Sequence, residues 1–160
     1  MNDFFPTIKM LHLFFASCWL GEVMVINFIM TPALGKYNKE GKSEMLVTIF
    51  PKLFRMASIL SAITIITGTS LLWFYTKFNF EILMQGHWRI ILIGGTLGLL
   101  LTLFHFFLEA RVTNLLAPNE KNYNYENHAL VYGRLKIIPR IGLVVITTIF
   151  FLMMFAEYGI

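Results

Sequence analysis

Residues 8–32 form an apolar run of the length a helix needs to cross a bilayer, roughly 20 residues at about 1.5 Å each. Yet the run carries His12, Ser17, Cys18, Glu22 and Asn27. An ionisable side chain facing hydrocarbon costs about 2.5 kcal/mol or more. These groups must therefore turn toward protein, water or a ligand. The rest of the chain has to build a polar interior around that face.

Three more apolar runs follow, so that spanning helices are expected over about residues 7–31, 53–76, 88–110 and 137–156. The chain is 57% hydrophobic and 14% charged, against about 25% charged in a soluble domain. The expected fold is an all-α integral membrane protein, one four-helix bundle over residues 1–160. Pro32, Gly35 and Gly41 should end the first helix, and residues 43–50 should form a short amphipathic helix before Pro51. Ser58, Ser61, Thr64, Thr67 and Gly68 give the second span a small, weakly polar face for close helix packing. The first span is too long, and lacks the small-residue cleavage pattern, for a signal peptide.

Ten of the 13 basic residues flank the two longer loops: Lys36, Lys39, Lys42, Lys52 and Arg55, then Arg111, Lys121, Arg134, Lys136 and Arg140. The other side holds Lys9, Lys77 and Arg89. The positive-inside rule then gives an N-out/C-out bundle in the plasma membrane. A net charge of +4 arranged this way is loop asymmetry and implies no nucleic-acid partner. The expected partners are the lipid bilayer and either further copies or a larger membrane complex. One cysteine excludes an internal disulfide and a Cys-based zinc site.

At about 100° per residue, His12, Ala16, Trp19, Val23 and Asn27 share a face, with Glu22 beside it. On the third helix His87, Gly94, Gly98, His105 and Glu109 do the same. Helices one and three run in parallel, so distance from their starts ranks depth. His12 and His87 fall in the outer half, His87 about one turn shallower. Glu22, His105 and Glu109 fall in the inner half. More than about 15 Å of depth separates His12 from His105, too far to share one ion. The outer pair suits a haem b, with Arg89 on a propionate, or a copper ion; the bland alternatives are an interfacial His87 beside Trp88 and a hydrogen-bonded His12. The inner trio suits a divalent metal or a proton relay; its alternative is a structural network in which Glu22 or Glu109 pairs with Arg55 or Arg140. Met24 and Met30 are the methionines placed to offer soft donors inside, Cys18 reads as packing, and His128 as solvated.

Leu11-His12 followed by Cys18-Trp19, Leu53-Phe54-Arg55 opening the second helix, His87-Trp88-Arg89 opening the third, and Tyr132 seven residues before Pro139 resemble HemJ-type membrane proteins. Trp19-Leu20-Gly21, Phe54-Arg55 and Thr67-Gly68 are similar to the membrane domain of copper-resistance protein D. The first resemblance implies a haem b-binding oxidoreductase in which His12 and His87 match the family's histidines. Arg89 stands where the HemJ type has lysine, and Ile137 where it has an acidic residue. Gly21-Glu22 replaces a small-residue pair of the copper-resistance type. Three expectations follow: a membrane haem b redox protein with cofactor-binding His12, His87, Arg89 and Trp19; a copper-handling protein passing the ion past His12, Met24 and Glu22 toward His105; or a non-catalytic subunit of a larger membrane complex.

Overall fold

The computed structural model describes residues 4–36, 49–116, 133–134 and 137–158. Every element assigned there is helical. The helix expected over residues 43–50 lies almost wholly outside the described residues, as do His128, Lys121 and Tyr132.

The first rod is α1 (Phe4–Val25), a π-helical turn (Ile26–Met30) and α2 (Thr31–Lys36) in series. The sequence rule that a proline ends a helix fails at Pro32. Proline has no N–H to give and its ring crowds the carbonyl four residues back. A widened turn directly before it, in which the Thr31 N–H reaches the Ile26 carbonyl five residues back, makes the room and lets the helix continue. Thr31 Oγ1 donates to the same carbonyl at 2.8 Å.

The second rod, α3 (Phe50–Thr76), starts with Pro51 in its first turn, where the missing N–H costs nothing. It stops at Lys77 and Phe78, two non-glycine residues at φ 49° and 55°. Lys77 N–H closes the helix on the Trp73 carbonyl at 2.8 Å, and its Nζ sits 4.0 Å above the Trp73 ring. Asn79 then caps the short α4 (Phe80–Leu83), its Oδ1 accepting from Glu81 N–H at 2.9 Å. The chain turns at Gly86 into α5 (Gly86–Leu116), and α6 (Ile138–Tyr158) follows.

Four stretches are long and apolar enough to cross a membrane: Phe4–Ala33, Phe50–Thr76, Gly86–Arg111 and Ile138–Glu157. They pack in chain order, and α6 closes back onto α1. The contacts fix an up-down-up-down arrangement. At one end Phe5 meets Tyr75, Tyr75 meets Trp88, and Lys9 pairs with Glu157 at 2.6 Å. At the other, Asn27 Nδ2 donates to the Pro139 carbonyl at 2.8 Å. Phe4 and Tyr158 therefore lie at the same end.

Trp19, Val23, Leu101 and Ile146 form the centre, with Leu60 packed against them, so all four long helices contribute. Outward faces stay apolar: Phe14, Phe28, Ile66, Leu100, Leu103 and Val144 are all more than half exposed. Such a surface suits an acyl-chain environment and would be a liability in water.

Candidate functional site

The ionisable and polar groups sort into two levels. Phe5, Tyr75 and Trp88 touch in sequence and so mark one level on three helices. Counting down from it by the helical rise locates the rest.

His12 stands seven residues below Phe5, against Thr64, Thr67 and Gly68 of α3. Its Nδ1 is 3.0 Å from the Thr64 carbonyl and 3.2 Å from Thr67 Oγ1. A carbonyl accepts and cannot donate, so Nδ1 carries the hydrogen and Nε2 keeps its lone pair. Thr67 spends its own hydrogen on the Ile63 carbonyl at 2.8 Å. Gly68 is what admits the ring: a Cβ there would stand 2.8 Å from His12 Cε1. The small face of α3 is thus a seat for the imidazole as well as a packing surface.

His87 does not join it. It is exposed at the start of α5, its ring 4.6 Å from that of Trp88, and Arg89 beside it is exposed too. Trp88 shares the level of Phe5, so His87 sits about 12 Å above His12 along the axis. Two imidazoles on one ion need their nitrogens within about 4 Å, twice a metal–imidazole bond. The expected one-turn offset understates the gap, and the geometry does not bring His12 and His87 to one iron or copper. Between the levels, the cleft at Gly94 is filled by Met153 and that at Gly98 by Ile65.

The second level holds Glu22 and His105. Glu22 and His105 lie equally far below Phe5 and Trp88, and Trp19, one turn above Glu22, packs edge-on against the His105 ring at 5.7 Å. Trp19, Glu22 and His105 are 2%, 5% and 8% exposed. His105 Nδ1 donates to the Leu101 carbonyl of its own helix at 3.0 Å, which again leaves Nε2 with its lone pair. Ser58 and Ser61, fully buried on α3, donate to Phe54 and Ser58 carbonyls and keep acceptor capacity toward the interior.

Neither Glu22 carboxyl oxygen nor Trp19 Nε1 has a hydrogen-bond partner among the described residues. The expected alternative, a pairing of Glu22 with Arg55 or Arg140, is absent: both arginines are exposed, and the ion pair among the described residues is Lys9–Glu157. Glu109 is half-buried one turn beyond His105. No three His, Cys, Asp or Glu side chains among the described residues come together as a metal site. Met24 is 43% exposed and faces away from the interior, which removes it from an internal copper path. Cys18 is free and half-buried.

Two contacts were missed by sequence reasoning. Asn27 ties α1 to α6 by donating to both the Val23 and Pro139 carbonyls at 2.8 Å. Thr64 and Thr67 hold His12; their spacing three apart on a face with Gly68 was the available signal. Compared with protein-family models, with curated proteins and with solved structures, the chain matches none.

Proposed function

We propose that this is a multi-pass plasma-membrane protein, N-out/C-out, that binds haem b through His12 and serves as a membrane redox protein. One observation carries the reading. His12 is an interior imidazole whose Nδ1–H is fixed on the Thr64 carbonyl, which orients the ring and leaves Nε2 free as a donor. That is the donor state an iron ligand requires, and Gly68 supplies the clearance for the ring.

His12 would hold the iron, and His87, about 12 Å away along the axis by the helical rise, would not reach the same ion. His87 and Arg89 belong at the rim, where exposed cationic and polar groups can meet the carboxylates of a haem edge. Trp19 lies deeper, on the inner group, and is not a cofactor contact in this reading. When bound, haem supplies one-electron chemistry at a potential set by its ligand and surroundings. The chain's own share is to hold and orient the imidazole and to keep water from it.

The test is an optical spectrum and metal analysis of the detergent-solubilised protein. A Soret band with stoichiometric iron, lost in His12→Ala and kept in His87→Ala, is expected. Colourless protein holding stoichiometric copper would replace this by the copper-handling reading. Colourless, metal-free protein co-purifying with another membrane protein would replace it by a non-catalytic subunit.

A further inference from the structure

Among the described residues, three polar groups in the middle of the bundle lack partners or carry spare lone pairs, and they are on two helices. Trp19 Nε1 has a hydrogen to donate, the Glu22 carboxyl has its full hydrogen-bonding capacity unused, and His105 Nε2 has a lone pair. All three side chains are more than nine-tenths buried. An unmet buried polar group costs about 1–3 kcal/mol, and two of them one turn apart on α1, beside an imidazole with a spare lone pair, are not a background defect. No protein group among the described residues completes the indole and the carboxyl. A buried water is held by two to four polar partners. A water seated beside Trp19 would accept from its Nε1–H and would have two hydrogens to give, one for the Glu22 carboxyl and one for His105 Nε2.

We propose that Trp19, Glu22 and His105 enclose a bound water that joins the Glu22 carboxyl to the His105 imidazole, making a proton-exchange site between α1 and α5. The step balances without a further reactant. The Glu22 carboxyl gives its proton to the water, and the water passes one of its own to His105 Nε2. Carboxylate and imidazolium result, the water is regenerated, and the pair stays neutral overall. Trp19 positions the water by its N–H and is a positioning residue.

Few other charges face this site. On α1 the nearby titratable group is the half-buried Cys18. On α3 no Asp, Glu, His, Lys or Arg lies between exposed Arg55 and exposed Lys77. On α5 there is Glu109, half-buried one turn beyond His105. On α6 none lies between exposed Arg140 and Glu157, which is held by Lys9 at the far end. Among the described residues Glu109, one turn along α5, is thus the outside carboxyl placed to exchange protons with the pair.

The inference does not rest on haem, because His12 is ten residues away on α1, and the same experiment run in a His12→Ala background separates the two. The full chain in lipid vesicles is titrated while infrared difference spectra are recorded in light and heavy water. A protonated-carboxyl band is expected that is lost in Glu22→Gln, exchanges with deuterium, and shifts in both Trp19→Phe and His105→Gln. Ring-nitrogen magnetic resonance should show the His105 Nε2 signal moving in Glu22→Gln, as expected of two groups joined through one water. A Glu22 band that ignores both neighbouring substitutions, or never exchanges with heavy water, would overturn the proposal. So would a His105 Nε2 signal that Glu22→Gln leaves unchanged. Glu22→Gln keeps side-chain shape, Trp19→Phe keeps an aromatic ring while removing the N–H, and a two-dimensional spectrum confirms that each variant remains folded.

Discussion

The half of the bundle toward Phe4 and Tyr158, outer in the proposed orientation, and the opposite, inner half treat their ionisable group in opposite ways. At the outer level His12 is tied: a neighbouring helix supplies a carbonyl, a hydroxyl and a glycine-sized recess for it. At the inner level Glu22 is left without a partner among the described residues, beside an indole N–H in the same condition. A tied group is oriented for something that arrives at one remaining atom. An untied one is open to whatever small species enters. The first arrangement fits a ligand to a fixed cofactor, the second a place where protons or water come and go.

The contrast predicts unequal penalties. The largest belongs to Gly68→Val. Its Cβ would press within 2.8 Å of His12 Cε1, and both partners sit on helices with little freedom to separate. Overpacking of this kind costs about 1–3 kcal/mol, and the upper half of that range is expected in denaturant titrations of the detergent-solubilised protein. His12 should also lose its bond to the Thr64 carbonyl, so any Soret absorbance should fall with stability. A Gly68→Val variant as stable and as coloured as the parent would erase the distinction between the halves.

Next come the two ties that close α1 against α6, one in each half. Asn27→Leu removes donations to Val23 and Pro139 carbonyls. Hydrogen bonds between membrane helices average about 0.6 kcal/mol and reach about 1.7. A loss of about 1 kcal/mol is expected, with the Pro139 carbonyl becoming more open to hydrogen-bonding solvent. Lys9→Met breaks the ion pair with Glu157, but those side chains are 40% and 65% exposed. Solvent screening holds its contribution to about 0.5 kcal/mol or less, and high salt should erase the difference from the parent. If Lys9→Met costs more than Asn27→Leu, the seam is held from the outer end instead.

How much of this was legible in the sequence depended on whether a signal is one-dimensional. Apolar length is, and the four spans lie within a few residues of where hydropathy put them. Depth is nearly so, since rise per residue alone put Glu22 at the height of His105. Rotation is not. Which face of α3 meets His12 depends on how two helices turn against each other, and the sequence could name Thr64, Thr67 and Gly68 only as a packing face. The offset of His87 also escaped, because it depends on the left-handed turn at Lys77 and Phe78 and the short α4, which set where α5 begins. At Pro32 a sound local rule lost to a wider turn that satisfies the same backbone another way.

The smallest expected effect sharpens the comparison most. Glu22→Leu deletes a buried ionisable residue from the bundle centre, a substitution that in the outer half, made at His12, would strip a seated ring of its bonds. Here no protein partner is left behind among the described residues, because none was made. Replacing a buried polar group together with what it binds by an apolar one of similar shape is nearly neutral, and Leu60, Val23 and Ile146 around Trp19 offer apolar contacts to the new side chain. Unfolding free energy should therefore change by less than about 0.5 kcal/mol. Stability kept while the carboxyl is lost would mean that Glu22 is retained for chemistry and not for holding the helices together. A loss of about 2 kcal/mol or more, the size expected for an uncompensated break in a network, would mean that the carboxyl is anchored after all, and that the two halves are built alike.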